Sequence, residues 1–317
     1  MKVLSLFDGG STGLQCLKDL NIKVDKYYSS EVDKFAIQVS QDNHPEIVRL
    51  GDVTKWKDWD EEVFNVDMII AGSPCQGFSR QGIGLNFDDP RSKLFFTFVD
   101  ILNHIKENFN PKVKFMLENV VMKKEWENVI TEYIGVDPIN INSDLFVPQS
   151  RPRVYWTNLK VDEINKKDYR LLDYLDDVIL ESYELIDGIK VCNTFSEASK
   201  KLISYTDSEL RIKQAVKLGY AIAEIGDGIN IAFPKSKTRR GRVTKNKSSC
   251  LDTSCNIGVY DQKGQIRRFT VNELERLQGL PKGYTKTVSN SQAKKILGNG
   301  WTADVIKHIF KNLKEEI

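Results

Sequence analysis

One cysteine of this chain lies where a cysteine could act as a nucleophile. Cys75 belongs to a Gly-Ser-Pro-Cys-Gln segment, residues 72–76, that directly follows the apolar run 66–71. A proline restricts the turn before the cysteine, small residues leave its sulfur accessible, and no second cysteine is near enough in sequence to indicate a disulfide. Taken alone, such a cysteine is more often a buried structural thiol. Its position after a predicted strand favours a reactive thiol.

Further polar residues follow other strand-like runs. The run 2–7 leads into Asp8-Gly9-Gly10-Ser11-Thr12-Gly13, Glu31 follows the run 24–30, Asp52 follows 47–50, and Glu118-Asn119 follow 113–117. In a parallel sheet, ligands bind outside the carboxyl ends of the strands. We therefore expect five strand ends, with a glycine turn, acids and a thiol, to face one crevice.

The glycine turn and two of the acids indicate an adenosine-containing cofactor. The turn lets a ligand approach the backbone but lacks the G-x-G-x-x-G spacing of dinucleotide binders, and by itself it could be purely structural. An acid at the end of the second strand, here Glu31, commonly accepts hydrogen bonds from ribose hydroxyls. Asp52 could accept from an adenine amino group, although alone it also suits a helix cap. S-adenosylmethionine fits this set better than NAD or ATP.

Two arginines precede the strand-like run 154–157. The segment Gln149-Ser150-Arg151-Pro152-Arg153 offers planar, fixed donors that suit a base carbonyl, a carboxylate or a phosphate. Surface salt bridging is the alternative interpretation. Together with Cys75 and Glu118, these arginines predict a nucleophile, an acid and a charge-stabilising group at one substrate.

The elements that must position these residues alternate along the chain. Apolar runs alternate with helical patterns at 33–43, 92–109 and 123–133. This alternation predicts an α/β fold, a Rossmann-like, doubly wound and mostly parallel sheet with a second, smaller inserted domain. We place the catalytic domain at 1–157 plus 276–317 and the second domain at 158–275. A helix over 302–313 should pack back on the first domain.

Composition restricts the class of protein. The 317 residues are 40% hydrophobic and 28% charged, which is typical of a globular chain, and no secretory leader or 18-residue apolar span occurs. Five cysteines without a regular framework favour a reducing compartment. Cys250 and Cys255 are interpreted as buried thiols and no metal site is expected. We predict a cytoplasmic, monomeric protein of a bacterial or phage-type host, without a membrane partner.

Positive charge is concentrated in one segment. Residues 235–268 contain ten Lys or Arg against two Asp, although the whole chain has a net charge of only +2. Such a segment could bind a polyanion such as nucleic acid, or it could be a solvated loop.

In their order and spacing, these motifs resemble those of C5-cytosine DNA methyltransferases. The Pro-Cys-Gln, Glu-Asn-Val and Gln-x-Arg-x-Arg combination is highly specific, and the likeness covers 1–157 and about 266 to the end. Ser11-Thr12-Gly13, Leu94-Phe95-Phe96 and Asn299-Gly300-Trp301, the last in place of Asn-Ser-Val, look more like the eukaryotic de novo branch. The matching segments are 7–13, Glu31, 51–53, 72–76, 118–120, 149–153, 268–281 and 298–299.

The resemblance implies a class I S-adenosylmethionine-dependent fold and a covalent mechanism. A Cys75 thiolate would add to C6 of a cytosine that has been flipped out of duplex DNA, Glu118 would hold or protonate N3, Arg153 would bind O2, and Arg151 would support the site. Methyl transfer to C5 and β-elimination would follow, with S-adenosylhomocysteine as the product. The run 77–89 would be a mobile loop that closes over the base.

The resemblance also implies binding residues. Phe7 would stack on adenine, Glu31 would bind the ribose and Asp52 the amino group. Residues about 158–265 would recognise the DNA target. The predicted cofactor residues are Phe7, Asp8, Gly9, Gly10, Thr12, Glu31, Val32, Asp52, Val53, Pro74, Leu94, Asn299 and Trp301. The predicted DNA contacts are Gln76, Ser79, Arg80, Arg239, Arg240 and Arg242, the last three from charge alone. A transfer-RNA cytosine methyltransferase and a catalytically silent regulatory homologue are the alternatives.

Overall fold

A seven-stranded sheet organises the first half of the chain. The computed structural model describes residues 1–73 and 93–316. The strand order is β3-β2-β1-β4-β5-β7-β6. Strands β1 to β5 run parallel to one another, whereas β7 is antiparallel to both β5 and β6. The predicted doubly wound, mostly parallel sheet is therefore confirmed.

The apolar runs mark the strands to within a few residues. The predicted strands at 2–7, 24–30, 47–50, 66–71, 113–117 and 154–157 are all present, and only β6 was not predicted. The strands are β1 (Lys2–Leu6), β2 (Lys26–Ser30), β3 (Val48–Arg49), β4 (Met68–Gly72), β5 (Lys114–Val120), β6 (Ile139–Asn142) and β7 (Pro152–Thr157).

Helices cover both faces of this sheet. The predicted helices correspond to α2, α3 and α4, and the Asp33 carboxylate caps α2 by accepting from the backbone N–H groups of Phe35 and Ala36. The helices of this half are α1 (Thr12–Asp19), α2 (Lys34–Asn43), α3 (Lys93–Asn108) and α4 (Lys124–Ile134). Short 3-10 helices lie at Val53–Asp58, Glu61–Phe64, Ser143–Leu145 and Leu171–Tyr174.

Side chains of each strand alternate between two cores, as the two-residue period of a strand requires. Val3 and Ile70 belong to the core cluster on the α1 side of the sheet. Leu4 and Ile69 belong to the cluster that contains the buried face of α3. Because both faces are covered, the strand sequences are rich in apolar residues and could be identified from the sequence.

The region after β7, which the sequence predicted only as a second, smaller domain, is rich in short strands. A three-stranded sheet has the order β10-β11-β12 and a six-stranded sheet the order β14-β13-β15-β16-β9-β8, with a separate core cluster. The elements are β8 (Tyr183–Ile186), β9 (Ile189–Cys192), α5 (Glu197–Lys200), β10 (Ile203–Thr206), β11 (Glu209–Lys213), β12 (Tyr220–Ala223), β13 (Gly228–Asn230), β14 (Arg242–Thr244), β15 (Ile257–Tyr260) and β16 (Gln265–Arg268). Leu171 and Leu274 lie inside the proposed 158–275 domain but pack in the first core.

The chain returns to the first core at its end. The elements there are α6 (Val271–Leu277), α7 (Asn290–Asn299), α8 (Ala303–Phe310) and α9 (Leu313–Glu316). Val305, Ile306 and Ile309 of α8 are buried in the same cluster as α1. The helix predicted over 302–313 is instead two helices, and Asn312 between them donates to the Lys160 carbonyl and the Asp162 carboxylate. No helix among the described residues is long and apolar enough to cross a membrane.

Candidate active site

A cavity of about 430 Å³ opens at the carboxyl ends of the parallel strands. The loop after β1, the ends of β2, β4 and β5, and the loop after α7 form its walls. The crevice predicted from the strand ends is therefore present. The predicted site residues that line it are Phe7, Asp8, Gly9, Gly10, Thr12, Glu31, Val32, Asp52, Val53, Leu94, Glu118, Arg151, Arg153, Asn299 and Trp301.

Glu118 and Arg153 form an ion pair on one wall of the cavity. Glu118 on β5 is the register partner of Tyr155 on β7, so Arg153, two residues earlier, is its diagonal neighbour on the same face. The Arg153 Nε lies 2.9 Å from Glu118 Oε1. Burial is the largest single effect and lowers the pKa of Arg153, but Glu118, Cys250 and Tyr155 together outweigh it, so the pKa is raised. The strand pair thus fixes a carboxylate and a charged guanidinium at the cavity.

Trp301 contacts the other oxygen of the same carboxylate. Its indole Nε1 donates to Glu118 Oε2 at 3.2 Å. The sequence indicated Trp301 only as part of a cofactor pocket. Its contact with Glu118 joins residues 183 positions apart, and no local pattern signals it.

Arg151 holds loops together beside the ion pair. Its Nη2 donates to the carbonyls of Gly298 and Gly300 at 2.9 and 2.8 Å, and its Nη1 donates to the Leu251 carbonyl at 2.9 Å. Burial lowers the pKa of this guanidinium. These contacts join three segments of the chain beside the cavity, and the supporting role of Arg151 stays a prediction.

Cys250 lies beside the two arginines of the site, a position that the sequence interpretation missed. It was expected to be a buried thiol like Cys255, whose pKa burial raises to about 12. Cys250 is instead half-buried, and its sulfur lies 3.4 Å from Arg151 Nη1 and 4.0 Å from Arg153 Nη2. The second region thereby reaches both arginines of the site.

The opposite wall carries the acids expected to bind adenosine. Glu31 accepts from the backbone N–H groups of Gly9, Val32 and Asp33, each at 2.8 Å, which leaves about one of its roughly four acceptor positions. The Oδ1 atom of Asp52 accepts from the N–H and the hydroxyl of Thr54. The second oxygen, Oδ2, carries no protein hydrogen bond from the described residues.

The loop after β1 has a strained backbone that Asp8 stabilises. Phe7 has a φ of 56°, a conformation unusual for a bulky residue and typical of functional sites. Burial raises the pKa of Asp8, whose oxygens accept from four hydroxyls. Because these four donors occupy its acceptor positions, the Asp8 carboxylate is not available to a cofactor. Its side chain holds the loop instead. The donors are Ser5, Ser11, Tyr27 and Ser29.

Much of the positive charge in 235–268 is neutralised locally. Lys245 lies 2.9 Å from Asp227, Lys247 lies 2.8 Å from Asp144, and Lys263 pairs with Asp177. Arg267 is fully buried and pairs with Asp261 and Glu273. The described carboxylates form no ion pair with Lys235, Lys237, Arg239, Arg240 or Arg242, which concentrates the unpaired charge at 235–242.

A family model described as C-5 cytosine-specific DNA methylase matches residues 1–315. The chain belongs to this family. It is therefore a C5-cytosine DNA methyltransferase, and the predicted family and activity are confirmed. The alternatives of a transfer-RNA methyltransferase and of a silent homologue are not favoured.

Several curated relatives of this methylase carry the name type II methyltransferase. Type II methyltransferase M1.ScrFI of Lactococcus lactis subsp. cremoris is 28% identical over 338 residues, covering 99% of this chain and 78% of the relative. Type II methyltransferase M.HhaI of Haemophilus parahaemolyticus is 28% identical over 302 residues, covering 90% and 86%. The chain thus spans most of each relative.

Solved structures share the fold of this methylase. The S. pombe Dnmt2 methyltransferase superposes with a TM-score of 0.60 at 18% identity, covering 99% of this chain and 98% of that chain. The Entamoeba histolytica methyltransferase EhMeth has a TM-score of 0.63 at 18% identity with the same coverage. At these identities the likeness concerns the fold alone.

Several predicted residues of this methylase lie outside the described residues. They include the predicted nucleophile, so its role stays a prediction. Within 1–73 and 93–316, no group of three or more His, Cys, Asp or Glu residues could hold a metal ion. The predicted residues outside the described ranges are Pro74, Cys75, Gln76, Ser79 and Arg80.

Proposed function

We propose that this methyltransferase modifies cytosine in double-stranded DNA through a transient thiol adduct, with S-adenosylmethionine as the methyl donor. One observation carries the proposal. The Glu118 carboxylate, held by Arg153 and Trp301, lines the same cavity as Glu31 and Asp52. An acid suited to a pyrimidine therefore lies in one cavity with acids suited to an adenosine.

The cavity residues fit S-adenosylmethionine. Glu31 retains an acceptor position for a ribose hydroxyl, and Asp52 Oδ2 can accept from the adenine amino group. The cavity of about 430 Å³ is within the size range of small-molecule sites. Phe7, Leu94 and Trp301 supply apolar walls. When bound, S-adenosylmethionine supplies the electrophilic methyl group.

The chain's own residues activate the base. The Cys75 thiolate attacks C6, and a C6–S bond forms while electron density moves to C5 and N3. Glu118 holds or protonates N3 and Arg153 binds O2, so the charge that develops on the ring is stabilised. Once C5 carries the methyl group, solvent water takes the C5 proton, the C5=C6 double bond forms again and the C6–S bond breaks, which releases the thiolate. Cys75 follows Ser73, on the rim of the cavity, by two residues in sequence.

The remaining assignments extend this proposal. The target base must leave the stack to reach Glu118, and the region 158–275 would contact the DNA through Arg239, Arg240 and Arg242. The named relatives come from bacteria, which supports a bacterial or phage-type host. The protein is further proposed to be a modification enzyme that acts in the cytoplasm as a monomer. S-adenosylhomocysteine is the expected product.

Covalent capture tests the proposal. DNA that contains 5-fluorocytosine should form a stable adduct with the wild-type enzyme in the presence of the methyl donor, because fluorine at C5 cannot leave as a proton. Cys75→Ser should form none, whereas Cys192→Ser should still form it. Wild-type methylation without a trappable adduct would remove Cys75 from its role.

The choice of nucleic acid needs a separate comparison. DNA duplexes and RNA of matched sequence should be assayed together with labelled methyl donor, and methylation is expected only in the DNA. Equal or greater labelling of RNA would contradict the proposed substrate and leave the thiol chemistry intact.

A further inference from the structure

The indole ring of Trp301 lies close to three different elements at the cavity. A Cβ atom built at Gly72, the last residue of β4, would lie 2.8 Å from the Trp301 Nε1. A Cβ built at Gly13, at the start of α1, would lie 3.4 Å from its Cζ3. The ring therefore lies close against the start of α1 and the end of β4 while its N–H reaches Glu118 on β5.

The indole N–H donor depends on the variant motif of this chain. The common motif ends Asn-Ser-Val, whereas this chain has Asn299-Gly300-Trp301. Valine has no side-chain donor, so a valine at position 301 would leave Glu118 Oε2 without this partner. The contact is a property of this chain's variant motif.

We infer that Trp301 is a positioning residue that orients the Glu118 carboxylate through its indole N–H. The inference rests on the proposed function of Glu118. Arg153 Nε holds Oε1 at 2.9 Å and Trp301 Nε1 holds Oε2 at 3.2 Å, so a donor on each oxygen restricts rotation of the carboxylate. A carboxylate has about four acceptor positions, and the others remain for the substrate.

A purely structural role for Trp301 leads to different behaviour. If the ring only forms part of the wall of the cofactor pocket, removal of its N–H should alter cofactor affinity and leave the chemistry on cytosine unchanged. If the N–H orients Glu118, the loss should appear in base activation even when no methyl donor is present. Thiol addition alone makes C5 basic enough to exchange its hydrogen with water, so tritium release from [5-³H]cytosine DNA without methyl donor measures that step.

Trp301→Phe is the test, because phenylalanine keeps an aromatic wall and deletes the donor. The matched control is Trp156→Phe, which deletes a buried indole hydrogen bond to Thr131 in the core. We expect Trp301→Phe to lower cofactor-free tritium release and kcat by about ten- to a hundredfold, the range for a lost hydrogen bond to a charged group. The dissociation constant for S-adenosylhomocysteine, measured by calorimetry, should change by less than about threefold.

Unchanged tritium release with weaker cofactor binding would overturn the inference, as would wild-type values throughout. Absence of tritium release and adduct in the wild-type enzyme would instead contradict the proposed function.

Discussion

The hydroxyl of Tyr284 donates a hydrogen bond to the carbonyl of Gly10 at 2.7 Å, across 274 positions of sequence. The Nε2 atom of His44 lies 3.2 Å from the same hydroxyl, and its Nδ1 lies 2.9 Å from the Lys18 ammonium. Since the tyrosine proton goes to Gly10, His44 must donate from Nε2 and accept at Nδ1. A buried chain of polar groups thus connects the molecular surface to the predicted cofactor loop.

Tyr284→Phe should weaken both the fold and the cofactor site. The substitution leaves the Gly10 carbonyl without its donor, and an unsatisfied buried polar group costs about 1–3 kcal/mol. We expect the free energy of unfolding in urea to fall by that amount and S-adenosylhomocysteine to bind more weakly. The exposed Tyr183 gives a control, because Tyr183→Phe should change neither quantity. Wild-type stability and affinity in Tyr284→Phe would show that this contact is unimportant.

His44 should make the fold less stable in mild acid. Burial, followed by the nearby positive charge of Lys18, lowers the pKa of His44 from 6.5 to about 4. A folded pKa below the unfolded value means that the unfolded chain binds the proton first, so stability is lost as the pH falls from about 6.5 towards 4. Between pH 7 and pH 5 this group should contribute a loss of about 1–2 kcal/mol.

The measurement compares urea unfolding at pH 7 and pH 5 in wild type and in His44→Gln. The glutamine variant is expected to be less stable at pH 7 and to lose less stability on acidification, because its side chain does not titrate. Identical pH dependence in the two proteins would exclude His44 as the source.

The first half of the fold was predictable because its strands are buried on both faces. Runs such as those of β1 and β4 are mostly apolar, so the sequence alone marks them. β6 escaped prediction because Ile139–Asn142 alternates apolar and polar residues over only four positions. β8 has mostly exposed side chains, so the apolar–polar alternation that identifies a strand in the sequence was equally weak there.

The site was predictable where a polar residue follows a strong strand. Glu31 and Glu118 were found in this way, and both line the cavity. Contacts between distant segments left no local signal, which explains why the Trp301 donor and the position of Cys250 were missed. Charge counting also failed for Arg267, because a sequence does not show that two acids surround a buried arginine.

Arg267→Met should destabilise the fold although the residue belongs to a basic segment. Its guanidinium is fully buried and lies 2.8 Å from Asp261 and 2.7 Å from Glu273. Removing one partner of a buried ionic group leaves unpaired charge and typically costs about 3–5 kcal/mol. Urea unfolding should show this loss, whereas Arg242→Met, at an exposed position, should change stability by less than about 0.5 kcal/mol. A small effect of Arg267→Met would mean that the buried acids are readily neutralised.

Unpaired arginines should account for the salt dependence of DNA binding. If Arg239 or Arg242 contacts phosphate, replacing it with glutamine should reduce the slope of log affinity against log salt by about 1. Lys245→Gln removes the same charge from a side chain already held by Glu224 and Asp227, so its slope should stay near wild type. Fluorescence anisotropy at several salt concentrations measures both. Equal slopes for all variants would place the DNA contacts elsewhere.

Gly72→Ala should be harmful because of Trp301, and a smaller residue at 301 should relieve it. The added methyl would lie 2.8 Å from the indole nitrogen, so the ring must move and its 3.2 Å contact with Glu118 is disturbed. We expect a loss of about 1–3 kcal/mol in stability, together with reduced kcat. In a Trp301→Val background the space is open, and the stability cost of Gly72→Ala should shrink by about 1 kcal/mol or more.

Gly241→Ala provides the control for this double-mutant cycle. Its added methyl would lie 2.3 Å from the Lys213 carbonyl oxygen, a clash in which Trp301 takes no part. Trp301→Val should therefore relieve Gly72→Ala and leave the cost of Gly241→Ala unchanged. Strictly additive effects of Gly72→Ala and Trp301→Val would mean that the ring and the end of β4 are not in the close contact described, and that the glycine is required for another reason.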